Sequence, residues 1–222
     1  MTLLLPSLPA LAVTDFTREA LGQLRQTDDF QWATVFLLSL AMYVYANEYE
    51  RRNWSAILAG LALWGMDWIN EVANALVLQG TDRAAIWTTT GHTSFQIFVG
   101  LNMEISFMFL IAGIVFVKFL PPDPAMRILG MPNRVFYVLF FSIFSVAVEV
   151  LLWAGDVFHW EYWWWNFPNV ILIVLLGYAT FYAMAAWVYD MHDVRRQARV
   201  VGTLFAIDLA LVLLFGVILE WI

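Results

Sequence analysis

The stretch from Trp54 to Gln79, WSAILAGLALWGMDWINEVANALVLQ, is long and apolar enough to cross a bilayer as a helix, yet it carries Asp67, Asn70, Glu71 and Asn74. Their spacing of i, i+3, i+4 and i+7 stacks all four on one helical face. A carboxylate at bilayer depth costs roughly 2.5–3.5 kcal/mol on insertion scales. Two on one helix demand protonation, a partner or a ligand. A chain built around this segment must therefore turn its polar stripe toward an interior.

The remainder of the sequence supplies that interior. Of 222 residues, 62% are hydrophobic and only 13% charged, against about a quarter charged in soluble domains. Apolar stretches recur along the whole length, which predicts an all-α, polytopic membrane protein. Six spans are expected, at about 31–49, 54–78, 95–119, 134–154, 168–189 and 200–222, forming a six-transmembrane-helix bundle over 31–222. Pro132 stands at a helix-start position ahead of the fourth. Residues 1–30 form an N-terminal extracytoplasmic segment. Its first part, MTLLLPSLPALAV, is interrupted by Pro6 and Pro9 and lacks a positive leader, which argues against a cleaved signal peptide. From Thr14 to Thr27 the pattern turns amphipathic, with Phe16, Ala20 and Leu24 on one face, predicting a short interfacial helix.

Basic residues orient the bundle. Arg51, Arg52, Lys118, Arg127, Arg134, Arg195, Arg196 and Arg199 account for eight of the eleven, and all fall in the 1–2, 3–4 and 5–6 connections. The positive-inside rule places these loops in the cytoplasm and both termini outside. A net charge of −7 with no basic tract argues against nucleic acid as a partner. Absence of cysteine excludes disulfides and thiol chemistry. The three histidines, His92, His159 and His192, are too few for a histidine-rich di-iron site. The expected partners are the lipid bilayer and a hydrophobic small molecule or lipid. A homo-oligomer or a larger membrane complex remains open.

Depths along the spans bring the polar groups together. Asp67 falls near mid-membrane, and Glu71 and Asn74 lie toward the outer face. Glu104 and Asn102 sit within about two helical turns of the outer end of span three, and Glu149 in the outer third of span four, on a face shared with Ser142, Ser145 and Asp156. His92 and His159 flank the same level, whereas Asp208 on span six is assigned to the inner half. The 4–5 connection, GDVFHWEYWWWNFP, is crowded with Trp160, Tyr162, Trp163, Trp164 and Trp165, which fits an aromatic belt at the headgroups or a lid over a pocket.

Intramembrane acids mark sites by default. The plainer alternatives are interhelical hydrogen-bonding glue and contact with another subunit. A carboxylic acid kept protonated in apolar surroundings can donate a proton to an alkene, with aromatic faces stabilising the cation that forms. This predicts an integral membrane enzyme acting on an apolar lipid or isoprenoid, of isomerase, cyclase or hydratase type, in an outward-facing cavity. Glu71 and Glu149 are the expected proton donor and acceptor, with Asp67 and Glu104 in support. Asn70, Asn74, Trp68, His92, His159 and Trp160 are expected around the substrate, and this chemistry needs no cofactor.

The alternative is an accessory subunit holding a metal or a pigment. Iron, manganese or zinc would take oxygen and nitrogen ligands from Asp67, Glu71, Glu104, Glu149, Asp156 and His159, of which Asp156 and His159 have the carboxylate-x-x-His spacing of helical di-iron sites. Proton conduction is disfavoured, because a relay needs groups on both sides of the midplane. Asp190, His192 and Asp193 beside Arg195, Arg196 and Arg199, and Glu48 and Glu50 beside Arg51 and Arg52, read as salt-bridged loops. Gly60, Gly65, Gly113 and Gly177 read as sites of close helix approach.

Trp68-Ile69-Asn70-Glu71, with a third span ending in Lys118-Phe119-Leu120-Pro121, resembles small membrane-bound terpene cyclases and the emopamil-binding sterol isomerases. The resemblance covers about a quarter of the chain and implies acids set in a membrane cavity for alkene protonation. The further helix on which the cyclases carry a second acid has no clear counterpart, Asp208 being a poor substitute. No functional residue is carried over.

Overall fold

The computed structural model describes residues 13–222. The apolar run at the N-terminus lies outside the described residues, except for Val13. The described residues are mostly helical, and among them seven α-helices run in chain order: α1 (Asp15–Gln23), α2 (Trp32–Glu50), α3 (Trp54–Thr81), α4 (Met103–Phe119), α5 (Asn133–Ala154), α6 (Ala179–Tyr189) and α7 (Val194–Val212). A π-helical turn, Ile173–Tyr178, leads into α6, and a second, Leu213–Ile218, extends α7. Asn133–Ala154 and the continuous Val194–Ile218 are long and apolar enough to cross a membrane by length and composition, and Ile173–Tyr189 is apolar but shorter.

α3 is the hub, packing against α2, α4, α6 and α7. It starts where the Asn53 side chain accepts from the Ala56 amide, and it ends at Asp82 in the left-handed conformation. Ala56, Ala59, Ala62 and Leu63 are buried on it, and small residues there let neighbouring backbones approach. A Cβ added at Gly113 of α4 would stand 2.7 Å from the Gly60 Cα, so the two helices cross backbone against backbone. At Gly65 an added Cβ would meet Leu204 Cδ2 at 2.7 Å, so a side chain of α7 fills the space that this glycine leaves. Gly177 differs: its nearest neighbour, Trp165, is at ordinary contact distance.

The third expected span is shorter than its apolar run. Residues 95–102 are extended rather than helical, folding into the hairpin β2 (Gln96–Phe98) and β3 (Leu101–Asn102). The helix begins only at Met103, where the Asn102 side chain accepts from the Ile105 amide. Two further strands, β1 (Trp87–Thr89) and β6 (Phe158–Trp160), pair antiparallel, with Thr88 opposite His159. These strands and α1 form a cap over one end of the bundle. Thr14 and Thr17 hydroxyls donate to Glu161 at 2.9 and 3.1 Å, and Phe16 stacks on His159 with ring centres 3.6 Å apart.

The opposite end carries the hairpin β4 (Arg127–Ile128) and β5 (Met131–Pro132), turned by Leu129 and Gly130, both at positive φ. Ion pairs cluster here. Arg134 grips the Asp190 carboxylate with Nη2 at 2.7 Å and Nε at 2.8 Å, and Lys118 pairs with the buried Glu48. Both acids thus pair with cations distant in sequence rather than with the arginines beside them in the chain.

Candidate functional site

α3 presents Asp67, Asn70 and Glu71 to a cavity of about 340 Å³, bounded by α4 on one side and by α5, the π-turn and α6 on the other. Glu149 enters from α5, 78 residues on in sequence from Glu71. Each glutamate is held by one oxygen. The Trp87 indole Nε1–H donates to Glu71 Oε1 at 2.8 Å, and the Tyr178 hydroxyl donates to Glu149 Oε1 at 2.8 Å. The second oxygens, Glu71 Oε2 and Glu149 Oε2, are buried and have no hydrogen-bond partner, and the same is true of Asp67 Oδ2. Asp67 is within electrostatic reach of Glu71, Glu149 and Asp208. Three acids with spare acceptor positions therefore meet in a space whose remaining wall is almost entirely hydrocarbon and aromatic.

The aromatic wall is placed by the cap. Asn74 does not face the cavity. Its Oδ1 accepts from the Ile86 and Trp87 amides at 2.7 and 3.1 Å, and its Nδ2 donates to the Trp87 carbonyl at 2.8 Å, which fixes the start of β1. Gly100 leaves room for this arrangement, since a Cβ there would fall 2.5 Å from both Asn74 Nδ2 and the Trp87 ring. Trp87 stacks on Trp165 with ring centres 5.8 Å apart, and both line the cavity with Phe158. Within the tryptophan-rich connection the roles divide: Trp165 reaches the cavity, Trp160 is buried beside Glu149, and Trp163 is exposed.

Several expected members stand elsewhere. Glu104 is not part of the acid group. With residues 95–102 extended, it falls in the first turn of α4 rather than two turns inside, and there it accepts from the Thr34 and Thr93 hydroxyls and the Ser94 amide. His92 is an exposed partner of Asp29, with Nδ1 2.6 Å from Oδ2. His159 is buried under Phe16, its Nε2 2.9 Å from the Thr90 hydroxyl, and the exposed Asp156 lies 3.8 Å away. Trp68 turns from the main cavity into a second space of about 220 Å³ between α3 and α7, shared with Trp64, Phe205 and Asp208. Trp160 carries an indole nitrogen without a partner and does not line the cavity.

Asp208 is the opposite case. α7 starts at Val194, earlier than the expected span, so Asp208 lies well along the helix at the level of Asp67 rather than in a separate inner layer. Both its carboxyl oxygens are buried and unpartnered, close to Gly65.

The six residues of the metal alternative are thereby divided: Asp67, Glu71 and Glu149 at the cavity, Glu104 beside α2, Asp156 and His159 in the cap. Among the described residues, no group of three or more histidine, aspartate or glutamate side chains is arranged to hold a metal ion. Two residues at the centre of the site escape sequence reasoning, Trp87 and Tyr178. Tyr178 leaves a trace, since it and Tyr182 are spaced i, i+4 in an otherwise apolar segment, and both reach the cavity.

Comparison with known proteins places the chain among relatives. A family model described as "Uncharacterized membrane protein family" matches residues 14–217. A protein of Archaeoglobus fulgidus, called an uncharacterized protein, is 46% identical over 209 residues, covering 94% of this chain and 99% of its own. A second, short A. fulgidus protein is 46% identical over 55 residues, which span 25% of this chain and 98% of that one. No solved structure matches. The family model agrees with the apolar helices in assigning the chain to a membrane, and the protein belongs to this uncharacterized membrane protein family.

Proposed function

We propose that the protein is an integral membrane enzyme that moves a proton within an apolar, alkene-bearing lipid of isoprenoid type. One observation carries the reading: Asp67, Glu71 and Glu149 offer unpartnered carboxyl oxygens to a cavity otherwise walled by apolar and aromatic side chains. A carboxylic acid in such a space is a proton donor with few competing acceptors. In the simplest reaction, a double-bond isomerisation, the donor O–H bond breaks as a new C–H bond forms on one alkene carbon. The resulting cation lies among the faces of Trp87, Trp165, Phe109 and Tyr178. The opposing carboxylate then removes a proton from the neighbouring carbon, and the double bond closes one position along. Glu71 and Glu149 exchange protonation states in the process, and Asp67, electrostatically linked to both sides, is the group through which they reset.

The same reading includes a six-span bundle formed by α2–α7, with α6 extended by its π-turn and the cap on the extracytoplasmic side. It is supported by helices at the six expected positions and by the eight basic residues gathered at the end opposite the cap.

Isotope exchange tests the chemistry. Protein in lipid nanodiscs, incubated in heavy water with an unsaturated isoprenoid lipid extract, should introduce deuterium into the lipid, read by mass spectrometry. Glu71→Gln and Glu149→Gln should each abolish the incorporation. Full exchange in both variants, or none in the native protein, would overturn the assignment, and a stoichiometric chromophore in the purified protein would redirect it to pigment binding.

A further inference from the structure

We infer that the cavity is loaded sideways from the bilayer, through a cleft between α4 and α5, by a lipid whose hydrocarbon tail stays in the cleft while its reactive end reaches the acids. This rests on the lipid-enzyme reading and adds the route and the shape of the substrate.

The cavity has two kinds of wall. Asp67, Asn70, Glu71, Ser145 and Glu149 supply polar atoms, whereas Met108, Ile111, Ala112 and Val115 of α4 and Phe144 and Val148 of α5 supply only apolar ones. On α4 those four recur at three- and four-residue intervals, and on α5 Phe144 and Val148 do likewise, so each helix turns one apolar stripe to the other. The stripes do not close on each other. α4 packs on α2 and α3, α5 packs on α6 and its π-turn, and the two helices touch only slightly. Met108, Val115 and Phe144 are accordingly exposed although they line the cavity. An apolar slot at this depth faces acyl chains, not water.

The other way in is shut. Above the acids, Trp87 is fixed by two hydrogen bonds with Asn74, which also holds the Ile86 amide, is stacked on Trp165, and is tied by the β1–β6 pairing to a cap that α1 straps down through Glu161. An amphiphile arriving from the aqueous face would have to part these elements. A lipid arriving from the membrane meets only flexible side chains. A linear isoprenoid fits both kinds of wall, presenting an alkene to the carboxyls and leaving further apolar units along α4 and α5.

The cysteine-free chain allows a direct test. Val115→Cys and Phe144→Cys, each purified, reconstituted in nanodiscs and then modified with a bulky maleimide, plug the cleft. Trp163→Cys, exposed on the cap, serves as the labelled control. The probe is a photoreactive long-chain isoprenoid alcohol supplied in the bilayer, and cross-linked peptides are read by mass spectrometry. The expected result is cross-linking to the α4 and α5 stripes in the unlabelled proteins, its loss on labelling at 115 or 144, and no loss on labelling at 163. Retained cross-linking in the plugged proteins, loss in the cap-labelled control, or no cross-linking in any protein would overturn the proposal. Deuterium exchange separates the two claims: exchange that survives plugging removes the lateral route alone, whereas specific cross-linking without exchange removes the acid-base chemistry alone.

Discussion

Trp87 and Glu71 are joined by a 2.8 Å hydrogen bond from indole nitrogen to carboxyl oxygen, and through it the cap sets the position of an acid that belongs to a different structural layer. Trp87→Phe keeps a ring against Trp165 but removes the donor. Loss of one such bond is worth about 1.4 kcal/mol, which corresponds to about a tenfold fall in rate. We expect deuterium exchange to drop by roughly that factor while the thermal midpoint in detergent changes little. An unchanged rate would show that Glu71 needs no positioning.

Tyr178 plays the same part for Glu149 at 2.8 Å. Tyr178→Phe should slow exchange by about an order of magnitude, as expected for one charge-assisted hydrogen bond. Glu149→Gln should remove it altogether, and adding Tyr178→Phe to Glu149→Gln should cost nothing further. Comparing the thermal midpoints of the two single variants with that of the double checks whether the residues act as one unit.

Asn74 satisfies three backbone groups at the start of β1 and is fully buried. Asn74→Ala leaves those groups unpaired, at about 1–3 kcal/mol for each that stays buried. The expected outcome is a clearly lower thermal midpoint and new proteolytic sensitivity within residues 84–100. Gly100→Ala, whose added Cβ would collide with the same amide and ring, should reproduce the defect without touching a hydrogen-bonding group.

Helix crossings give a graded series. At Gly113 the obstacle is the Gly60 backbone, at Gly65 it is the end of a leucine side chain, and at Gly202 nothing lies within 4 Å. Gly113→Ala should destabilise by about 1–3 kcal/mol or more, the usual cost of overpacking. Gly65→Ala should cost less, because Leu204 can turn aside. Gly202→Ala should stabilise by about 0.5–1 kcal/mol through helix propensity alone. Midpoints of thermal unfolding should fall in that order.

Orientation is checked with single cysteines. Arg196→Cys at the basic end should react with a membrane-impermeant maleimide only after cells are opened, and Trp163→Cys on the cap should react in intact cells. The reverse pattern would invert the bundle.

Much of the scaffold can be read from the chain, because long apolar runs and the i, i+3, i+4, i+7 stripe on α3 are local signals. What escapes is non-local or short. The pairing of Thr88 with His159 joins residues 71 positions apart through strands of three residues, too brief to show alternation. Reading 95–102 as helix carried Glu104 two turns too deep, because an apolar segment of that length looks alike as strand or helix. The late start assumed for the last span had the converse effect on Asp208. Asp67, Glu71 and Glu149 needed only helix periodicity and depth, which long helices preserve. Trp87 lies in a loop whose course depends on Asn74 and Gly100, so no spacing rule reaches it.

The two glutamates are each pinned by one oxygen on separate helices, which holds each carboxyl to its own side of a bound chain. Protons would be delivered to one face of a flat alkene and withdrawn along a second fixed direction. In heavy water, a CH2 formed here should take up its deuterium with a single handedness.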